Sequence, residues 1–141
     1  MTQSPRSRPH LPPALAAQVD VAREGLLAVH KALLEEERIR YEREVGPVGS
    51  AGRLLQLVIS DPWFAWLHPL TELVVQMDEL MTAKEPAPQG TWEALLRQAV
   101  RLLSPSAEGD AFQQRYHVAL QVSPAVVLAH GEASRRIAAL G

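Results

Sequence analysis

The chain has 141 residues, 47% of them hydrophobic, with no cysteine and a formal net charge of −2. That length suits one domain with a substantial core. The missing cysteines exclude disulfides, thiol chemistry and Cys-based metal sites, and they fit a reducing cytoplasm.

No basic excess is available to neutralise phosphates, so no nucleic-acid partner is expected. No run approaches about 18 uncharged apolar residues, so no membrane span is expected either. Residues 1–12, MTQSPRSRPHLP, carry Pro5, Pro9 and Pro12 with little to bury. They read as a disordered Pro-rich arm without the apolar run of a signal peptide. A helical domain is expected over 13–141.

From Pro13 the pattern turns helical. Leu15, Val19, Ala22, Leu26, Val29 and Leu33 recur every three or four residues and make one apolar stripe. Pro13 suits a first turn, and VGPVGS supplies a stop after about Glu44. Along EEERIRYERE the stripe turns polar, with Glu37, Arg40 and Glu44 continuing its line. Either this end projects beyond the core or polar groups enter the bundle; the expectation is a solvated end. Pairs such as Glu36 with Arg40 and Arg38 with Glu42 support it, each worth about a few tenths of a kcal/mol.

SAGRLLQLVIS reads as a short helix carrying Leu54, Leu55, Leu57, Val58 and Ile59. Asp61 and Pro62 then supply an acceptor side chain and a first-turn proline, the signal of a new start. On one helix, Trp63, Trp66, Leu67, Leu70, Leu73, Val74, Met77, Leu80 and Met81 form a stripe roughly 120° from the Leu54–Ile59 cluster. The mismatch argues for a break near Asp61. Trp63 and Trp66 then enter the core, Pro69 marks a kink or a second helix start, and Phe64 with Val75 forms a second apolar edge. His68 and Glu72, four residues apart beside that edge, complete a candidate interface.

KEPAPQG reads as a loop. Thr91 caps a helix to about Leu103 with Trp92, Leu95, Leu96, Ala99, Leu102 and Leu103 on its apolar side. Ser104-Pro105 ends it, and Ser106 caps the last element. Phe112, Tyr116, Ala119, Val126, His130 and Ile137 keep one phase through Ser123-Pro124. That phase favours one kinked helix over about 107–140. The three longer helices are expected at about thirty residues each. No strand and no fixed repeat stands out. The fold class is therefore all-α: an antiparallel four-helix-bundle-like single domain with Pro-broken helices.

There is no Gly-rich phosphate loop, no Gly-x-Ser-x-Gly, no His-Glu-x-x-His, and no His with Glu three residues before it. The polar candidates sit on helix faces. His30, Glu37 and Tyr41 share one side of the first helix and could line a small pocket or a hydrogen-bonded network. His130 is the most inward histidine; it needs a partner or must stay neutral, and with His30 it could ligate haem or a metal. Asp78 lies on the shoulder of its stripe, where Arg53, Arg97 and Arg115 are candidate partners.

HKALLEEERIRYEREVG (30–46) and LLQLVISDPWFAWLHPLTELVVQMDEL (54–80) resemble segments of a family of small uncharacterised bacterial proteins. The resemblance covers about a third of the chain and implies a helical fold and a bacterial cytoplasmic setting. It brings no activity and no functional residues. The leading expectation is a non-enzymatic helical protein acting through protein–protein contact, first of all self-association into a homo-oligomer. The alternative is a bundle binding a ligand, haem or metal in a polar pocket between helices.

Overall fold

The computed structural model describes residues 11–139, and all of the regular structure among them is helical. The elements are α1 (Pro13–Glu44), α2 (Ala51–Ser60), a 3-10 turn (Pro62–Leu67), α3 (His68–Thr82), α4 (Gln89–Leu102), α5 (Ala111–Val122) and α6 (Pro124–Ala139). The expected arm lies outside the described residues over 1–10. Leu11, assigned to that arm, packs into the core.

α1 is the axis. It starts with Pro13 in the first turn and runs 32 residues. It ends where the N–H groups of Val45 and Gly46 both donate to the carbonyl of Tyr41, at 2.7 and 3.2 Å. Gly49, at φ +91°, then makes a turn that a side chain would strain. Leu15, Val19, Ala22, Leu26, Val29 and Leu33 are all buried, as their spacing requires. Around α1 pack the 3-10 turn, α3, α4, α5 and α6, with α6 the most extensive neighbour. α3 runs antiparallel to it: Arg23 meets Asp78 and, seven residues on, His30 meets Thr71.

α1 and α6 approach closely because two small residues face each other. A methyl group added at Gly25 would stand 2.9 Å from Cβ of Ala133, inside van der Waals contact.

Three expectations about the breaks need correction. The helix over 107–140 is two helices. Ser123 is extended, at φ −123° and ψ 110°, as a residue before proline prefers, and its hydroxyl accepts from the N–H of Val126 at 3.2 Å. Phe112, Tyr116, Ala119 and Val126 are still buried. α5 starts at Ala111, later than expected, because Asp110 and Gln113 form a reciprocal cap: the N–H of Gln113 donates to Asp110 and that of Asp110 to Gln113. α4 starts at Gln89 rather than after Thr91, with no side-chain cap. Only α1 reaches the expected thirty residues; the other two long helices are divided.

The break at Asp61 is real, and its geometry matters most. The Asp61 side chain accepts from the N–H of Trp63 at 2.8 Å, but the next six residues form a 3-10 turn rather than an α-helix. Three residues per turn instead of 3.6 rotates the first residues out of the expected phase. Phe64, expected on an outer edge, is fully buried, and the indoles of Trp63 and Trp66 are only partly buried. From Leu67 the expected stripe holds: Leu70, Leu73, Val74 and Met77 are buried.

Candidate functional site

The polar end of α1 enters the bundle. Glu37 is 3% exposed and Tyr41, beside it on the same side, is 7% exposed, so the solvated-end expectation fails at Glu37; Arg40 is half-buried, and the expectation holds at Glu44, which is exposed. The flanking charges do face water: Arg38 pairs with Glu35 and Glu42 along the helix. The Arg38 guanidinium holds the Glu35 carboxyl below the usual carboxylate range.

Glu37 is the buried charge of this region. Its Oε1 accepts from Nη1 of Arg40 at 3.2 Å and stands 3.7 Å from Nη2 of Arg115, reaching from α1 to α5. Each guanidinium also covers an indole. Cζ of Arg40 lies 5.7 Å from the ring centre of Trp63, and Cζ of Arg115 lies 5.3 Å from that of Trp66. Tyr41 packs edge-on against Trp63 and tilted against Phe64, both at 5.7 Å between centroids. Phe112 links Trp66 to Tyr116. Among the described residues, three buried side-chain polar atoms of this region find no hydrogen-bond partner: Oε2 of Glu37 and Nε1 of Trp63 and of Trp66.

His30 and His130 each bond a different partner. Nε2 of His30 is 2.8 Å from Oγ1 of Thr71. The Thr71 hydroxyl donates to the carbonyl of Leu67 at 3.2 Å, so its oxygen accepts from the His30 N–H. His130 is half-buried rather than central, and its Nδ1 shares a hydrogen bond of 2.7 Å with the hydroxyl of Tyr116. Burial lowers the pKa of both histidines and raises that of Tyr116, so both pairs are neutral. Among the described residues no group of three or more His, Asp or Glu is arranged to hold a metal ion.

The neutral histidines have a pH consequence. In the unfolded chain they protonate near pH 6.5, and in the fold only at lower pH. The unfolded state therefore binds more protons just below 6.5. Their contribution is fully present above 6.5 and declines as pH falls toward their folded pKa values. Urea titrations are expected to show lower stability at pH 5.5 than at pH 7.5, with the difference reduced by His30→Gln.

The remaining sequence candidates disperse. Asp78 meets Nε of Arg23 at 2.7 Å, not Arg53, Arg97 or Arg115, because α3 lies along the first half of α1. Its side chain is 45% exposed, so the pair is a modest structural contact. His68 donates from Nε2 to the carbonyl of Val58 at 2.9 Å and ties α3 back to α2. Glu72 and Val75 are exposed, but with Phe64 in the core and His68 tied inward they form no four-residue edge.

A different apolar surface is present instead. On α2, Leu57 and Val58 face inward, while Leu55 and Ile59 are 61% and 65% exposed. With the exposed Gly52 and Gln56 they form a stripe that carries no charge over two turns. The signal is present in the sequence. At about 100° per residue, Leu55 and Ile59 diverge from Leu54, Leu57 and Val58, so the cluster has two faces. Val118 and Val122 on α5 and Leu128 on α6 are further exposed aliphatics.

No helix among the described residues is long and apolar enough to cross a membrane. Comparisons with protein-family models, curated proteins and solved structures found no match.

Proposed function

We propose that this is a non-enzymatic helical protein that acts through protein–protein contact, with a second copy of itself as the first partner. The observation carrying this reading is the uncharged, outward stripe Gly52, Leu55, Gln56 and Ile59 on α2. A stripe without charge sets no like charges against each other when two copies meet about a two-fold axis, and Gly52 permits close approach. Ten residues at 1.5 Å each span about 15 Å, which is part of a standard interface, so association is expected to depend on concentration. A bacterial cytoplasmic setting, and kinship with the helical family that 30–46 and 54–80 resemble, belong to the same proposal.

Sedimentation velocity over a wide concentration range tests it. The expected result is a reversible rise in mass that Leu55→Glu with Ile59→Glu abolishes without loss of helical signal. A strict monomer at high concentration overturns self-association. Loss of association with Val118→Glu and Val122→Glu, but not with the α2 pair, moves the contact to α5.

A second reading, a bundle that holds a small ligand, draws on one observation: a buried carboxylate, Glu37, with an unpartnered oxygen. For its haem version, a Soret band after haemin titration is the positive result; its absence removes that version.

A further inference from the structure

Two arginines from different helices share one carboxylate. Nη1 of Arg40 on α1 and Nη2 of Arg115 on α5 stand 3.2 and 3.7 Å from the same atom, Oε1 of Glu37. The two guanidiniums thus gather about one point, and their side chains remain 35% and 48% exposed. Among the described residues neither pairs with a second carboxylate; even Glu36, one turn before Arg40, is passed over for Glu37. The other arginines that form ion pairs there have carboxylates to match. Arg23 has Asp78, Arg38 has Glu35 and Glu42, Arg101 has Asp110, and Arg135 and Arg136 divide Glu132 and Glu24. The Glu37 cluster is the exception, with one formal positive charge in excess.

Both guanidiniums are also held in place. Arg40 lies over the indole of Trp63 and Arg115 over that of Trp66, at 5.7 and 5.3 Å. An arginine already fixed against a carboxylate and a ring loses less freedom when it binds a further group. Glu37 engages one nitrogen of each fork, which leaves further N–H donors on both. The indoles are half-buried, so apolar ring surface borders the two cations. Trp and Arg side by side are the residues in which interface hot spots are enriched.

Charge selects the partner. One carboxylate neutralises the excess, and its two oxygens accept from guanidinium forks in the strongest geometry. A phosphate monoester carries up to about two negative charges and overshoots. The net charge of −2 disfavours a nucleic-acid strand. We propose that Arg40 and Arg115, backed by Trp63 and Trp66, form a docking surface for an acidic segment of a partner protein. One Asp or Glu side chain bridges the guanidiniums, and an apolar neighbour rests on the indoles. The surface uses no residue of the α2 stripe, so it goes beyond the proposed self-association.

The test uses the full 15N-labelled chain and a capped peptide of alternating leucine and glutamate. Indole N–H signals are assigned by Trp63→Phe and Trp66→Phe, with Trp92, buried in the core, as reference. Saturable shifts at Trp63 and Trp66, with Trp92 unmoved, are the expected result. Arg40→Gln and Arg115→Gln should each weaken binding at least tenfold. Arg97→Gln, at an exposed arginine outside the cluster, should leave it unchanged. Where a glutamine variant fails to fold, Arg115→Lys still decides: it keeps the charge, loses the planar fork, and should weaken binding by about threefold or more. No saturable shift, equal binding of a leucine–glutamine peptide, or equal weakening by Arg97→Gln overturns the site. Tighter binding of inorganic phosphate or of a short single-stranded DNA overturns the acidic-peptide assignment. Self-association that Arg115→Gln abolishes would make the occupant a second copy and overturn a foreign partner. Sedimentation of Leu55→Glu with Ile59→Glu reads the α2 contact separately, so either proposal can fail alone.

Discussion

Phe64→Ala is expected to destabilise the protein by about 3–5 kcal/mol, as truncating a fully buried aromatic does. Phe64 is fully buried, with its ring against Tyr41 at 5.7 Å. Its place depends on the 3-10 geometry of Pro62–Leu67. Were this segment an ordinary helix started at Asp61, Phe64 would point outward and its truncation would cost about 0.5 kcal/mol or less. Urea unfolding of Phe64→Ala beside Val75→Ala decides the matter. Val75 is 48% exposed, and its variant should stay close to the parent. A cost for Phe64→Ala under about 1 kcal/mol would restore the outer-edge arrangement and reopen the contact surface expected around His68 and Glu72.

Gly25→Leu is expected to cost about 3 kcal/mol, through overpacking rather than through a cavity. Even one methyl at position 25 would stand 2.9 Å from Cβ of Ala133, and Ala133 has no flexible end to withdraw. Gly25→Ala separates the opposing terms. Helix propensity favours it by about 1 kcal/mol, while the clash with α6 opposes it by about 1–3, leaving a net loss of about 1 kcal/mol. In an Ala133→Gly background the clash is gone, and Gly25→Ala should become stabilising. A double-mutant cycle with a coupling of about 1–2 kcal/mol is the expected outcome. Additive effects would mean that α1 and α6 do not meet at these two residues.

Much of the fold is legible from local pattern. The limits of α1 follow from Pro13 and from the glycines after Glu44, and its buried face follows from six apolar residues at helical spacing. The break at Asp61 follows from side-chain chemistry and from a phase mismatch. The break at Ser123 is hidden because continuity of phase mimics continuity of the helix. Two helices can keep their buried faces aligned across an extended residue, since both pack against the same core. Of the site, His30, Glu37, Tyr41 and His130 are visible as polar residues at or beside apolar faces. Their partners Thr71, Arg115 and Tyr116 are not, because each comes from another part of the chain or, for Tyr116, from across a break whose angle the pattern does not encode.

Local pattern alone therefore establishes that this chain is helical, where its first helix starts and stops, and which apolar residues are buried along most of its length. These depend on spacing, proline and glycine, which act within a few residues. Contacts between elements settle the rest: that Glu37 is a buried charge shared between α1 and α5, that Arg23 rather than another arginine meets Asp78, and that α2 rather than the Phe64 edge presents the apolar stripe. The physical reason is the same in each case. A helix face has no fixed meaning until another element covers it or leaves it bare, and a change from 3.6 to three residues per turn over six residues redirects which side chains are covered.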